Sequence, residues 1–360
     1  MGSVVADIAG AQAQVLTAAQ TSIWARCSIA AIEDLDAALW KKRNLARAWC
    51  MRRTMFLLPS SELAIFARGT ARRSEYNLRW ALEHVASRQQ LERLLDNVLG
   101  VLDRPRSRTD ISRLLKAQGY KLKLKAGGGW GDSRTVPWVE VGSASLSVGF
   151  LLHVIAAQNV ICSGPNVGNE STFVRADKWL PQWKDIPQES AEEELLSRYL
   201  KAFGPTTLTD FALWMGLYVR DARVLWSRLA EKMTRVDVEG WEAHVLWSDL
   251  PELERAAIDV PVVRLLPNFD TFLLGHKSHG SIVDAGNMRK VYRAQGWVSP
   301  VVLVNGRAEG VWSYERGKND LEVRAVSFSR FSDRVKSMIR EEASMLGGFL
   351  GIPNVRTVVS

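Results

Sequence analysis

The segment from Leu45 to Leu58, LARAWCMRRTMFLL, has the pattern of two short strands joined by a polar turn at Arg52-Arg53-Thr54. Two helical patterns come before it, at residues 15–32 and 34–45. The segment is therefore predicted to be a β-ribbon that closes a unit of two helices.

The same order of elements recurs twice later in the chain. In the second copy, helical patterns at residues 87–102, 107–118 and 147–157 come before a ribbon that turns at Gly164-Pro165-Asn166 and Gly168-Asn169. In the third, helical patterns within residues 189–233 come before a ribbon that turns at Glu239-Gly240. Because no strong residue identity links the copies, the repeat is one of architecture. We predict three tandem winged-helix units, at residues 1–85, 86–185 and 186–256; a plain surface hairpin is the alternative for the second ribbon.

The pattern changes near Val260, where short β-rich runs replace the helices. These runs lie at residues 262–266, 298–304, 308–312 and 321–327. Asn305-Gly306 joins two of them, and this dipeptide is the strongest short-range signal of a hairpin turn. A helical pattern at residues 332–345 follows. We predict a β-rich C-terminal domain at residues 257–360 and an α+β fold class.

The composition favours a globular protein with an anionic partner. Of 360 residues 47% are apolar, and 47 Lys and Arg side chains outnumber 39 Asp and Glu, which gives a net charge of +8. This excess favours nucleic acid or a membrane surface as partner. Cys27, Cys50 and Cys162 are widely spaced without a metal-ligand pattern, so we interpret them as thiols of a reducing cytosol. The sequence shows neither a signal-peptide pattern nor a bilayer-spanning run, and we expect a cytoplasmic monomer without metal, cofactor or membrane partner.

The stretch Ala9-Gly10-Ala11-Gln12-Ala13-Gln14 places two amides in a run of small residues. On a helix, side chains two positions apart lie about 200° from each other, whereas on a strand they share one face. Gln12 and Gln14 can therefore reach one ligand only if the stretch is extended or turns. A glutamine can accept a hydrogen bond from water and donate one to an oxygen without acting as a strong base. The stretch predicts a site that orients water; the other interpretation is two polar residues at the entrance of an Ala-rich helix.

The order of several motifs resembles the AlkZ/YcaQ-type winged-helix DNA glycosylases, and the resemblance covers nearly the whole chain. The matching stretches are Gln12-Ala13-Gln14, Arg53-Thr54-Met55-Phe56-Leu57-Leu58-Pro59, Gly164-Pro165 with Phe173-Val174, Phe203-Gly204-Pro205-Thr206-Thr207 with Asp210 and Trp214, Leu265-Leu266-Pro267-Asn268-Phe269-Asp270 with Leu274-Gly275, and Val302 to Trp312 around Asn305-Gly306-Arg307. In one departure, the histidine of the family's Thr-Leu-His-Leu motif is Phe56 in this chain.

The resemblance implies that Gln12 and Gln14 are the catalytic pair of a monofunctional DNA glycosylase. Such enzymes remove N7- or N3-alkylated purines from duplex DNA, in some members including crosslinked purines. An alkylated purine is cationic and a good leaving group, so hydrolysis through an oxocarbenium-like state needs water placement and charge stabilisation more than a strong acid. Asn268 and Asp270 are candidate neighbours of this site.

Contacts to duplex DNA are predicted for side chains on the ribbon turns and on one basic edge: Arg52, Arg53, Thr54, Lys121, Lys123, Lys125, Asn166 and Asn169. The three lysines alternate with leucine, so they share a face if that stretch is extended. Contacts to phosphate would make the affinity fall steeply with salt. The alternative for each residue is a solvated surface position.

Two other functions stay open. One is a DNA-binding regulator without catalysis, for which tandem winged helices and positive charge suffice. The other is a hydrolase centred on His276 and His279, although two histidines three positions apart without a nearby carboxylate are more typical of a polar loop. A glycosidase assay separates the regulator from the enzyme.

Overall fold

The computed structural model describes residues 1–27, 31–84, 87–126, 135–142, 144–158, 160–258, 260–278 and 280–360. They form an α+β protein with five β-sheets, so the predicted fold class is confirmed at that level. Within these ranges, no helix has the length and apolar character needed to cross a membrane.

The first unit contains α1 (Gly2–Asp7), β1 (Ala11–Gln12), α2 (Leu16–Trp24), α3 (Ile32–Asp36), β2 (Leu45–Trp49) and β3 (Met55–Pro59). Its sheet is antiparallel with the order β1-β3-β2. The predicted ribbon is confirmed. The predicted helix at 15–32 is wrong in length, because α2 ends at Trp24, where Nη1 of Arg26 donates to the carbonyl of Ser22. Residues 28–30 lie outside the described ranges.

Two helices, α4 (Leu63–Gly69) and α5 (Ala71–His84), lead to the second unit. That unit contains α6 (Arg88–Gly100), β4 (Arg106–Ser107), α7 (Arg108–Ala117), β5 (Leu122–Ala126), β6 (Thr135–Val141), β7 (Ala144–Ser147), α8 (Val148–Gln158), β8 (Ile161–Val167) and β9 (Glu170–Arg175). One sheet has the order β4-β9-β8, and a second, β5-β6-β7, is inserted between α7 and α8. The short strand before α7 thus pairs with the last strand of the ribbon, as β1 does with β3.

The third unit follows after α9 (Ala176–Trp179). It contains α10 (Gln188–Phe203), α11 (Leu208–Met215), α12 (Val219–Arg228), β10 (Met233–Val238) and β11 (Trp241–Leu246). Thr206, just before α11, exchanges two main-chain hydrogen bonds of 3.0 and 2.8 Å with His244 on β11. The same pairing of a pre-helix residue with the last ribbon strand therefore occurs in all three units.

The C-terminal part contains α13 (Leu250–Arg255), β12 (Val263–Leu266), α14 (Thr271–Leu274), α15 (Met288–Val291), β13 (Val301–Val304), β14 (Arg307–Arg316), β15 (Asp320–Ser327), α16 (Asp333–Phe349) and β16 (Asn354–Val359). The five strands pair in chain order, antiparallel up to β15 and parallel between β15 and β16. Asn305 and Gly306 have φ of 49° and 84°, as a type I′ turn requires, and they confirm the predicted hairpin.

Strand β3 separates two hydrophobic cores. Met55 and Leu57 contribute to a core shared with α2 and the five-stranded sheet, whereas Phe56 and Leu58 contribute to a core shared with the third unit. The split follows from the alternation of side chains along a strand. The first unit is therefore held between the C-terminal sheet and the third unit. Strand β1 pairs with β3, which packs against both of these neighbours.

Candidate active site

The glutamine element, residues Ala9 to Gln14, begins where α1 reverses into β1. Ala9 and Gly10 have φ of 50° and 90°, and the N–H of Gly10 donates to the carbonyl of Val5 at 2.9 Å. A Cβ on Gly10 would lie 2.6 Å from Cδ2 of Leu58, so only glycine permits this close approach to β3. This tight reversal places Ala11 and Gln12 directly on the sheet as β1.

The two glutamines occupy different environments. Gln12 pairs with Phe56 in the sheet and is 6% exposed, whereas Gln14 is exposed. The Oε1 atom of Gln12 accepts a hydrogen bond of 3.4 Å from the main-chain N–H of Gln14. The amide of Gln12 is thus buried, and the amide of Gln14 faces solvent just beyond the end of the strand. Phe56, the partner of Gln12 in the sheet, is fully buried.

The helix that follows has an open N-terminus. Val15 is the N-cap of α2, with φ of −104° and ψ of 108°, and it makes no side-chain capping hydrogen bond. Val15 therefore offers no side-chain acceptor to the N–H groups of the first turn. They add a local positive potential next to Gln14.

Arg47 on β2 reaches across β3 to the glutamine element. Its Nε donates to the carbonyl of Ala13 at 3.0 Å, and its Nη2 lies 3.5 Å from the carbonyl of Gln14. The main-chain N–H of Ala13 also donates to the carbonyl of Met55 at 2.6 Å. Main chain and side chain together fix the segment from which Gln14 projects.

Asp270 does not contact the glutamine element. It forms a two-pronged ion pair with Arg26, with distances of 2.8 and 2.9 Å, and accepts hydrogen bonds from Ser22 Oγ at 2.7 Å and from the N–H of Phe272 at 2.9 Å. These contacts join the end of α2 to the start of α14. They give Asp270 a structural role and do not support the expectation that it adjoins the reacting base. Asn268 is half-buried and lines a cavity of about 210 Å³ with Thr17 and Thr21 of α2.

Comparison with known proteins identifies the chain. A family model described as DNA glycosylase AlkZ-like matches residues 5–349. The chain belongs to this family. It is similar to the interstrand DNA cross-link repair glycosylase of Streptomyces sahachiroi, with 30% identity over 319 residues that cover 86% of this chain and 81% of the relative. The solved structure of Streptomyces sahachiroi DNA glycosylase AlkZ matches with a TM-score of 0.79 and 26% identity, over 100% of this chain and 93% of that one.

Membership of the AlkZ-like family makes this chain a DNA glycosylase, a hydrolase of N-glycosyl bonds that acts in DNA repair. This assignment excludes the non-catalytic regulator. Nε2 of His276 lies 2.8 Å from the carbonyl of Phe203, which accounts for the ring as part of the packing, and His279 lies outside the described residues. In the described ranges, no group of three or more His, Cys, Asp or Glu side chains could hold a metal ion.

The first ribbon turn of the AlkZ-like glycosylase is enclosed. Nη1 of Arg52 donates to the carbonyl of Leu274 at 3.3 Å, and a Cβ on Gly216 would lie 3.1 Å from the Arg52 Cα atom. Burial lowers the pKa of Arg52 to about 10. Thr54 closes the turn by donating from Oγ1 to the carbonyl of Met51 at 3.1 Å, and Arg53 lines a small cavity. The left-handed φ of Arg52 and Arg53 folds this turn onto α11, so the free wing tip assumed for these three DNA contacts is missing.

The other predicted DNA contacts of the glycosylase are exposed. Lys121, Lys123 and Lys125 lie on or next to β5, where Lys123 pairs with Glu140 at 2.5 Å and Lys125 lies 4.7 Å from the ring centre of Trp138. Asn166 and Asn169 are exposed at the turn between β8 and β9. These positions agree with the predicted basic edge and second ribbon turn, and their binding to DNA stays a prediction.

Helix α12 is a surface of the glycosylase that the sequence interpretation missed. Its outer face exposes Val219, Arg220, Arg223, Val224 and Ser227. Asp221 accepts a short hydrogen bond from Tyr76 at one end, and Arg228 pairs with Glu189 and Glu192 at the other. The i, i+3 spacing of the two exposed arginines was the available signal. By contrast, the corresponding helix α8 is mostly apolar, and five of its described residues are buried in the core of its unit: Val148, Leu151, Leu152, Val154 and Ile155.

Proposed function

We propose that this glycosylase hydrolyses the N-glycosidic bond of N7- or N3-alkylated purines in duplex DNA, and that Gln12 and Gln14 form its catalytic element. The observation that carries the proposal is the pairing of one buried and one exposed amide at an uncapped strand-to-helix junction. The name of the Streptomyces relative extends the candidate substrates to crosslinked purines.

The two amides suit the chemistry of a cationic leaving group. Gln14 can accept a hydrogen bond from water through its carbonyl oxygen, and neither amide titrates near neutral pH. As the bond to the alkylated purine breaks, positive charge shifts to the sugar, and an oriented amide oxygen stabilises that charge while it holds the water. Gln12 holds the main chain of Gln14 through its own Oε1, so the exposed amide is positioned before the substrate arrives.

Three winged-helix units would present this element to duplex DNA. We assign them to residues 1–85, 86–185 and 186–256, with the β-rich domain at 257–360. The support is the shared topology, in which a short strand before a helix pairs with the last strand of the ribbon in each unit. The exposed face of α12 suits groove binding, since its arginines can contact phosphates or guanine and its valines can contact thymine methyl groups. We expect the protein to act as a monomer.

The test measures base release and strand scission side by side on duplex DNA that contains N7-methylguanine. We expect release of the base and an abasic site with an unbroken strand, because no lysine or N-terminal amine belongs to the glutamine element as a Schiff-base nucleophile. Strand scission at the same rate as base release would contradict the monofunctional assignment. Release from other lesions but not from N7- or N3-alkylated purines would contradict the proposed substrate class.

A further inference from the structure

Arg47 is a cation beside the glutamine element whose charge no carboxylate neutralises within the described ranges. Both of its hydrogen-bond acceptors are main-chain carbonyls, of Ala13 and Gln14. The side chain is half-buried, and its Nη2 contact to Gln14 lies at the surface. Burial lowers the pKa of the guanidinium from its usual value. The cation therefore loses contact with water at this site and gains no opposite charge from the described residues.

Other partly buried arginines of this protein have carboxylate partners. Arg26 pairs with Asp270, Arg72 and Arg228 pair with Glu192, and Arg198 pairs with Glu62, all at 3.1 Å or less. A desolvated charge without a partner is unfavourable, so such pairing is the expected state.

Arg43 and Arg52 are also partly buried and donate to main-chain carbonyls, but their surroundings explain them. Arg43 stacks on Trp179 with its Cζ 3.8 Å from the ring centre, and Arg52 is enclosed between units. Arg47 has neither arrangement in the described part of the chain. It lies instead at the edge of the surface from which Gln14 projects.

We propose that Arg47 binds the DNA phosphate that flanks the damaged nucleotide, while its Nε holds the glutamine element in place. The proposal rests on the proposed function, because a nucleotide whose glycosidic bond lies at Gln14 brings its own phosphates to the same surface. The planar guanidinium can do both at once, because Nε donates to the carbonyl of Ala13 while Nη2 lies at the surface beside Gln14. The bound DNA then supplies the opposite charge to Arg47 only when the damaged nucleotide lies at Gln12 and Gln14.

A lysine cannot replace this arginine. Its single ammonium group can contact a phosphate, but it has no second, fixed donor for the carbonyl of Ala13. Arg47→Lys should therefore keep part of the response to the phosphate and lose the positioning of Gln14. Arg47→Gln should lose both.

The experiment compares duplexes that contain one N7-methylguanine and carry either natural phosphates or a neutral methylphosphonate at the position 5′ or 3′ to it. Base release is measured in single turnover for wild type, Arg47→Gln, Arg47→Lys and the control Arg334→Gln, an exposed arginine on α16. For wild type and the control, we expect one methylphosphonate to slow release about ten- to a hundredfold, the scale of one charge-assisted contact. Arg47→Gln should be slower by a similar factor on natural DNA and should not respond to that methylphosphonate.

Two results would overturn the proposal. One is Arg47→Gln at the wild-type rate on natural DNA; the other is Arg47→Gln slowed by the methylphosphonate as strongly as wild type. Thermal unfolding of each variant checks that the fold is retained, and Arg47→Lys supplies the comparison if Arg47→Gln unfolds. If wild type releases no N7-methylguanine, the proposed substrate fails, and the affinities of the same proteins for the same duplexes still show whether Arg47 recognises that phosphate.

Discussion

The strand-to-helix junctions of the first and third units share a topology but differ in how the helix begins. In the third unit, Thr207 Oγ1 accepts from the N–H of Asp210 at 3.2 Å, and Asp210 accepts from the N–H of Thr207 at 2.9 Å, so α11 starts with a capping box. In the first unit, Val15 occupies the N-cap of α2 and makes no such bond. One junction is closed by its own side chains, and the other is open and preceded by two amides.

The second unit agrees with the third. Ser107 Oγ accepts from the N–H of Asp110 at 3.1 Å, and Asp110 accepts from the N–H of Ser107 at 3.2 Å, which caps α7. An N-cap side chain stabilises a helix by about 1 kcal/mol. The first unit lacks this contribution at the junction where the glutamines lie, and such local loss of stability is a common property of sites that must bind a substrate.

The largest expected effect is on catalysis at the open junction. Gln12→Ala and Gln14→Ala should each slow base release from N7-methylguanine duplexes by about ten- to a thousandfold, the scale of lost polar contacts in a transition state. Gln12→Ala should also lower the free energy of unfolding by about 1 kcal/mol, since it removes a partly buried hydrogen bond to the main chain of Gln14. Single-turnover kinetics and urea unfolding measure the two effects. If both variants release the base at the wild-type rate, the reaction takes place at another site.

The closed junction of the third unit should respond in stability alone. Asp210→Ala removes the carboxylate half of the capping box of α11, which accepts from the N–H of Thr207, and the acceptor for the N–H of Lys277, a bond of 2.7 Å to the C-terminal part. Because hydrogen bonds to a charged group contribute more than neutral ones, we expect a loss of about 2–3 kcal/mol in the free energy of unfolding. The rate of base release per folded molecule should stay unchanged. A rate loss as large as that of Gln14→Ala would remove the contrast between the junctions.

A smaller loss is expected in the second unit. Ser107→Ala deletes the N-cap hydroxyl of α7 and should destabilise the protein by about 1 kcal/mol. Chemical denaturation gives the value, with Ser112→Ala as a matched control, since that hydroxyl donates only to the carbonyl of Arg108 within the same helix. Equal losses in the two variants would show that the N-cap hydroxyl stabilises the protein no more than the hydroxyl within the helix does.

The smallest effect is a gain. Val15→Thr keeps the branched shape and adds a hydroxyl that can cap α2, so the free energy of unfolding should rise by about 0.5–1 kcal/mol. Base release should slow less than tenfold, because the hydroxyl competes for N–H groups beside Gln14 without removing either amide. Unfolding and single-turnover release are measured on the same preparation. Lower stability would show that the open N-cap cannot accept a capping side chain.

The elements that could be predicted from sequence are those with local causes. The turns at Glu239-Gly240 and Asn305-Gly306 are encoded by Gly240, Gly306 and Asn305, which tolerate positive φ, and both turns adopt it. The ribbon from Leu45 to Leu58 follows from its own alternation. The glutamine element could be singled out for its small residues and paired amides, before its placement on β3 was known.

The elements that escaped prediction depend on distant partners. The end of α2 is fixed in part by Arg26 and Ser22, which bind Asp270 more than two hundred positions away. Strand β16 forms by parallel pairing with β15 across a whole helix, and β5 and β7 pair with β6 on either side of it within the second unit. The contact of Arg47 with Ala13 crosses a strand, so no local pattern announces it.

The most direct measurement is the single-turnover rate of base release by Gln14→Ala, with wild type and Asp210→Ala in the same experiment and duplex affinity measured in parallel. We predict that Gln14→Ala is slower by about ten- to a thousandfold, while its affinity for duplex DNA stays close to wild type, because neutral side chains contribute little to phosphate binding. Asp210→Ala should release the base at the wild-type rate. Release by Gln14→Ala at the wild-type rate would contradict the assignment of the open junction as the active site.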